Sequence, residues 1–238
     1  MKKAIVFDLD GTLLNSLPDL MDACNLALQE AGYPIHSLED YRWMVGDGAL
    51  ELARRSLPEP LRQDEGLVQK MLFQQTEHYR HRWHSRSKRY SGILKHLRLL
   101  HRSPISLYVF SNKNEDFVKS IIEYYFPGVS FSGIIGYSKK YPRKPNPEAL
   151  LISFAQNGLL AQNALMIGDS AVDVQTAIQA GMEFIGAGYG FRGSQELFDA
   201  GALQVCSNVN QLFEAIQKWI INKEENEYGI NGCHPNKT

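Results

Sequence analysis

Near its start the chain reads Ala4-Ile5-Val6-Phe7-Asp8-Leu9-Asp10-Gly11-Thr12-Leu13, and this stretch decides the fold. A short apolar run ends in two carboxylates two residues apart, followed at once by Gly-Thr. In an extended segment, residues i and i+2 point the same way. Asp8 and Asp10 are therefore expected to project together from the end of a buried strand, where Gly11 lets the backbone turn sharply and approach a ligand. A bare Asp-x-Asp is most often a pair of solvated acids at a strand exit. The same pair followed by Gly-Thr and preceded by an apolar strand is much rarer and points to a site.

Beyond Thr12 the pattern changes period. Leu17, Leu20, Met21, Cys24, Leu28 and Ala31 recur at helical spacing, with Asn15 or Ser16 as cap, Pro18 in the first turn and Gly32 at the end. Ser37-Leu38-Glu39-Asp40 reads as a capping box opening a short helix through Met44. Gly46-Asp47-Gly48 breaks the chain, a helix follows from Ala49 to about Leu57, and a longer one runs from about Leu61 to about His84. Nothing from 15 to 84 reads as a strand. A helical block of this size is stable only as a small bundle or docked on something else.

From Ser91 onward, helices alternate with short apolar runs: Ile105 to Phe110, a weak strand near Gly133, Ala164 to Ile167, Glu183 to Ala187, and Leu203 to Cys206. Such alternation predicts an α/β fold, a doubly wound, Rossmann-like parallel sheet with right-handed crossovers. The helical block is inserted after the first strand. Residues 1–14 and 86–221 are thus expected to form the core, 15–85 a helical cap, and 222–238 an unstructured, polar tail.

Composition narrows the function. The chain has 238 residues, 44% hydrophobic and 21% charged, with a net charge of −1. No global field argues for nucleic acid or a membrane surface as partner. The three cysteines, Cys24, Cys206 and Cys233, are odd in number and scattered, which suits a reducing compartment. The N-terminal apolar run is too short for a signal peptide, and no stretch approaches a membrane span. A soluble, cytoplasmic protein is expected, either monomer or homodimer.

In a parallel sheet all strand ends lie on one edge, and ligands bind there where the winding reverses. In this sequence those ends carry Asp8 and Asp10, then Ser111-Asn112, then Gly168-Asp169-Ser170, with Lys144 in a loop before a helix. Carboxylates, one lysine and one hydroxyl facing one crevice make a metal-plus-phosphate site. Asp8 and Asp169 offer the hard oxygen ligands that Mg²⁺ takes. Ser111 and nearby amides can donate to phosphate oxygens, and Lys144 supplies a point charge.

The motifs Asp8-Leu9-Asp10-Gly11-Thr12, Ser111-Asn112, Lys144-Pro145 and Gly168-Asp169-Ser170 with Asp173 resemble those of haloacid-dehalogenase-superfamily phosphatases with a helical cap. The likeness covers residues 3 to 221. It implies that Asp8 attacks phosphorus to form an aspartyl-phosphate, and that Asp10 protonates the leaving alcohol and then activates water. It further implies Mg²⁺ held by Asp8, the backbone carbonyl of Asp10 and Asp169. Asp173 would act in support, and Ser111, the Asn112 amide and Lys144 would bind the phosphoryl oxygens. On its own, Asp173 also has a plainer reading, as a first-turn acid facing the helix dipole.

An Asp two residues after the nucleophile fits phosphatases and phosphomutases, and the family's dehalogenases and transport ATPases usually lack it. Pro18-Asp19-Leu20, Val45 to Leu52, Arg54 to Leu57 and Tyr90-Ser91-Gly92-Ile93 resemble the cap region of phosphoglycolate phosphatases. Gly46, Asp47 and Gly48 are then candidate specificity residues, or an ordinary helix–helix turn. The expected partner is a small phosphorylated metabolite. Sugar-phosphate phosphatase, pyrophosphatase, phosphomutase and a non-catalytic metabolite-binding module are the alternatives. Asn15 stands where the family usually has Asp. The basic run from His78 to Arg89 reads as a solvated helix and linker, and His78, His81 and His84 lack the acid or cysteine partners of a metal site.

Overall fold

The structure is a computed structural model that describes residues 2–228. In chain order its first half comprises β1 (Lys3–Phe7), β2 (Leu14–Asn15), α1 (Leu17–Glu30), α2 (Leu38–Met44), α3 (Ala49–Ser56), α4 (Glu65–Arg80), β3 (Lys88–Arg89) and α5 (Ile93–His101). Then come β4 (Ile105–Asn114), α6 (Glu115–Tyr125), β5 (Gly133–Tyr137), α7 (Glu148–Gln156), β6 (Ala164–Gly168), α8 (Ala171–Ala180), β7 (Glu183–Ala187), α9 (Ser194–Asp199), β8 (Val205–Cys206) and α10 (Val209–Tyr228).

Six strands form a parallel sheet in the order β5-β4-β1-β6-β7-β8. Residues 4–7 of β1, 107–110 of β4 and 164–167 of β6 are apolar because both faces are covered there. Ile5, Phe7, Leu107, Val109, Leu165 and Ile167 pack on one face against α5, α6 and α10. Their neighbours Ala4, Val6, Tyr108, Phe110, Ala164 and Met166 pack on the other, against α7 and α8. Winding reverses at β1, which lies between β4 and β6. That reversal opens the crevice directly beyond Phe7, where Asp8 begins.

Helices α1 to α4 sit between β1 and β4 in the chain, and α1, α3 and α4 pack on one another through Ala27, Leu28, Ala53, Leu57, Val68 and Met71. A second cluster joins Leu17, Cys24, Tyr41, Val45 and Leu52 to Phe191, which comes from the loop after β7. The capping box at Ser37 and Asp40 forms as expected.

Several boundaries differ from the sequence reading. Helix α4 starts at Glu65, because Glu59–Leu61 makes a separate 3₁₀ turn and the Asp64 side chain caps the Leu67 amide at 3.0 Å. It stops at Arg80, and the chain turns through Ser85. Strands β2 and β3 pair antiparallel where the chain leaves and rejoins the sheet. Two-residue strands have no periodicity to read. Asn146 accepts the Glu148 amide at 2.9 Å, so α7 begins one residue later than expected. Helix α10 continues through Tyr228 where a tail was expected. Its polar residues find partners: Lys223 pairs with Glu183 at 2.7 Å and Glu224 with Lys3 at 3.4 Å. Residues 229–238 of the expected tail, and Cys233, lie outside the described residues.

Asp19 holds the returning chain in place. It is fully buried in the first turn of α1 and accepts the Arg86 and Ser87 amides, each at 2.8 Å, and the Ser87 hydroxyl at 2.6 Å. Asp19→Ala would leave two amides without their acceptor beside the β2–β3 ribbon. Such a loss costs on the order of 3 kcal/mol. The expected result is a lower midpoint in urea unfolding, against which an unchanged midpoint would count.

Candidate active site

The parallel strands bring their C-terminal ends to one edge, and the predicted motifs meet there. Asp8 follows β1, Ser111 and Asn112 lie near the end of β4, and Asp169 follows β6. Lys144 comes from the loop between β5 and α7, and Asp173 from the first turn of α8. The Lys144 ammonium lies 2.7 Å from Asp8 Oδ1 and 2.7 Å from Asp173 Oδ1. All three side chains are buried. Asp173 also uses Oδ2 to accept the Ser170 hydroxyl at 2.7 Å and the Ser170 amide at 3.2 Å, completing a capping box. The first-turn role and the site role thus coexist on one carboxylate.

Asp169 Oδ2 accepts the Phe191 amide at 2.7 Å. Carboxylate oxygens of Asp8, Asp169 and Asp173 lie within 4.8 Å of one another and form the only such acid, histidine or cysteine group among the described residues. Burial, offset in part by Lys144 and reinforced by Asp173 and Asp10, raises the Asp8 carboxyl to about 7. Burial and the charges of Asp8 and Asp173 raise Asp169 well above the usual carboxylate range. Burial opposes the charge on Lys144, but Asp173 and Asp8 outweigh it and raise its pKa. Once ionised, three buried carboxylates against one ammonium leave an excess of negative charge of the size that a divalent cation neutralises. The oxygen-only donor set suits a hard cation, so these residues fit a metal ion.

The Asp10 carboxylate lines the same cavity but has its own partners. It receives Lys113 Nζ at 2.9 and 3.1 Å and the Ser16 hydroxyl at 2.5 Å. Ser111 Oγ accepts the Lys113 amide at 3.3 Å, which leaves its own proton to donate into the cavity it lines. Asn112 ties three segments together. Its Oδ1 accepts the Lys144 amide at 2.8 Å, and its Nδ2 donates to Lys144 O at 3.2 Å and to Gly46 O at 3.1 Å.

The Gly46-Asp47-Gly48 turn therefore touches the core, with its members in different positions. Gly46 and Gly48 line the cavity, whereas Asp47 turns its carboxylate to Arg55 at 2.5 Å. The cavity, about 500 Å³, runs from Asp8 and Lys144 under the cap past Leu52, Tyr79 and Phe117.

Sequence reasoning missed Lys113, Ser16, Gly190 and Phe191. Lys113 was findable, since it lies two residues beyond Ser111 and points the same way. Gly190 packs so tightly that a Cβ there would come within 2.3 Å of Asp169 Cβ. The only signal for that loop was Gly188-Tyr189-Gly190 following a strand at the same edge. The histidines assemble nothing: His78 pairs with Glu30 at 3.0 Å, while His84 packs on Trp83 and Tyr124. In the basic run, Arg86 pairs with Asp22 at 2.9 Å and Arg80 with Glu77 at 3.3 Å. No described helix is long and apolar enough to cross a membrane.

Known proteins are similar to this chain in sequence and fold. The phosphoglycolate phosphatase of Aliivibrio fischeri is 35% identical over 202 residues, covering 83% of this chain and 89% of that protein. That of Vibrio cholerae is 33% identical, covering 90% and 96%. A solved structure from Lactobacillus delbrueckii subsp. bulgaricus superposes with a TM-score of 0.83 at 30% identity, covering 91% of this chain and 99% of that one. Another, described as a predicted phosphoglycolate phosphatase from Haemophilus somnus, gives a TM-score of 0.82 at 27% identity, covering 91% and 97%. The sequence profile that matches residues 5–187 takes in both the sheet edge and the helices set over it, and the chain belongs to the haloacid dehalogenase-like hydrolases.

Proposed function

We propose that the protein is a Mg²⁺-dependent phosphomonoesterase of small metabolites, with phosphoglycolate as the first substrate to test. The observation that carries this reading is the Asp8 carboxylate at the switch point, 2.7 Å from a buried ammonium and beside two further buried acids. The named relatives are phosphoglycolate phosphatases, which supports the substrate choice. The cavity also has room for a larger leaving group, so sugar phosphates stand beside phosphoglycolate.

Asp8 acts as nucleophile. One of its oxygens forms a bond to phosphorus as the ester oxygen leaves, giving an aspartyl-phosphate and an alcohol. Asp10 donates the proton that the leaving oxygen takes up. It then takes a proton from water as that water attacks phosphorus, which restores the Asp8 carboxylate and releases inorganic phosphate. Lys144 and the Ser111 hydroxyl hold the phosphoryl oxygens and stabilise the charge spread over them. Lys113 and Ser16 hold the Asp10 carboxylate where it can exchange that proton. Asp8, Asp169 and the Asp10 carbonyl would hold Mg²⁺, with Asp173 behind them. When bound, the ion supplies positive charge that offsets repulsion between Asp8 and the incoming phosphate dianion.

A phosphate-release screen over phosphorylated metabolites, with and without Mg²⁺, tests the reading. Turnover of phosphoglycolate or a sugar phosphate only with Mg²⁺ is expected. No release from any phosphate ester would overturn it. Asp8→Asn should lower kcat by about 10⁴-fold or more, as loss of a nucleophile does elsewhere. Full activity in that variant would exclude the aspartyl-phosphate route.

The raised carboxyls also predict a pH dependence. A carboxyl whose folded pKa lies above its unfolded value contributes stability at low pH that is lost as pH rises through the folded pKa. Metal-free protein should therefore lose stability from about pH 4 toward the Asp8 value of about 7. Mg²⁺ relieves the repulsion that appears once these groups ionise. Its increment in Tm should accordingly be larger at pH 8 than at pH 5.5, and an increment equal at the two values would contradict the assignment.

A further inference from the structure

The Phe191 peptide unites two parts of the molecule that the mechanism treats separately. Its amide donates to Asp169 Oδ2 at 2.7 Å, and its carbonyl accepts Arg42 Nε from helix α2 at 2.8 Å. Its ring is buried among Leu17, Tyr41, Val45 and Leu52 of the helical insertion. The next residue makes the reciprocal contact. Arg192, on the sheet side, donates to Val45 O at 2.7 Å and to Trp43 O at 3.3 Å, at the end of that same α2. Gly190, directly before Phe191, sits hard against Asp169 and against the Gly11 carbonyl, 2.6 Å from where a Cβ would lie. The loop therefore has little freedom to move without moving Asp169, and little freedom to move without moving α2.

We infer that Phe191 and Arg42 are positioning residues that couple occupancy of the metal site to the seating of α2 over the crevice. This rests on the Mg²⁺ site proposed above and goes beyond it. Asp169 already turns Oδ2 to the Phe191 amide, and an ion held by Asp169 would fix that carboxylate in place. The peptide then presents its carbonyl squarely to Arg42, and α2 is held down. The converse follows by linkage: a seated α2 holds the peptide, and with it Asp169, in the geometry that binds the ion. The ring of Phe191 makes the link rigid because its apolar neighbours all belong to the insertion. A charge-only account of Arg42 gives the opposite sign. An arginine near a cation site repels the cation, so its removal would tighten metal binding.

That difference in sign makes the test decisive. Mg²⁺ affinity of the full-length, substrate-free protein is measured by calorimetric titration for wild type, Arg42→Ala and Arg42→Lys, with metal-free thermal melts confirming that each variant folds. The expected result is a Kd weakened by about fivefold or more in Arg42→Ala, the low end of ordinary coupling between sites. Arg42→Lys keeps the charge but lacks the Nε donor and should weaken binding in the same direction. Amide exchange supplies the reciprocal readout. Mg²⁺ should slow exchange in α2 of wild type, and the slowing should vanish in Arg42→Ala. Wild type that binds Mg²⁺ while Arg42→Ala binds it equally or more tightly would overturn the coupling alone. Wild type that binds no Mg²⁺ would overturn the metal assignment and the coupling with it. Should Arg42→Ala fail to fold, the Arg42→Lys titration and wild-type exchange decide the matter.

Discussion

Everything at the sheet edge depends on one buried ammonium. Lys144 sits 2.7 Å from Asp8 and 2.7 Å from Asp173, out of water and beside a third acid. Burial first, and then repulsion between neighbouring acids, drives these carboxylates toward their protonated forms, which raises Asp8 and Asp169. The nucleophilic role proposed for Asp8 requires an ionised carboxylate. Lys144 opposes protonation of Asp8, and its second ion pair ties in Asp173 from helix α8. The lysine is itself held by its backbone, since Asn112 takes the Lys144 amide on one side and its carbonyl on the other. Positioning one cation thus engages β4, the β5–α7 loop and α8 together.

Close backbone approach serves the same end. At Gly11, with φ of +89°, a Cβ would lie 2.1 Å from Asp169 Oδ2, and at Gly168 one would lie 2.2 Å from Asp173 Cγ. The acids are thereby packed against bare backbone, which excludes water and fixes their rotamers more firmly than loosely packed side chains would. The left-handed backbone at Gly11 adds a second reason for glycine there. This is the steric counterpart of the charge argument: the site is crowded by design of the chain, and the crowding is what raises its carboxyl pKa values.

Much of this was legible in the sequence because it follows from period and position. Alternating apolar runs and helices gave the parallel sheet, and the parallel sheet placed Asp8, Ser111, Lys144 and Asp169 on one edge before any coordinate was known. What stayed hidden has in each case a physical reason. The β2–β3 ribbon is too short to show a period. Helix α10 outruns its apolar stripe because Lys223 and Glu224 find charged partners far away in sequence. Asp47 is a turn residue by composition, but its carboxylate goes to Arg55, a pairing no local pattern signals. Phe191 acts through its backbone amide and carbonyl, and backbone groups leave no mark in residue identity.

That last point bears on how the helical insertion meets the sheet. Arg42 donates to Phe191 O, Arg192 to Val45 O and Trp43 O, Asn112 to Gly46 O, and Arg143 to Asp47 O. In each case a side chain from one side meets a backbone carbonyl on the other. Hydrogen bonds of this kind constrain the donor and leave the acceptor's side chain free to vary. The insertion can then change cavity residues outside the Phe191 cluster, such as Leu50 or Leu72, without losing these bonds to the sheet. On the function proposed above, chemistry and selectivity are separable for that reason: the former rests on buried side chains around Lys144, the latter on cavity residues of the insertion that take no part in these bonds. A fold built this way keeps one reaction while its cavity is reshaped for another phosphorylated metabolite.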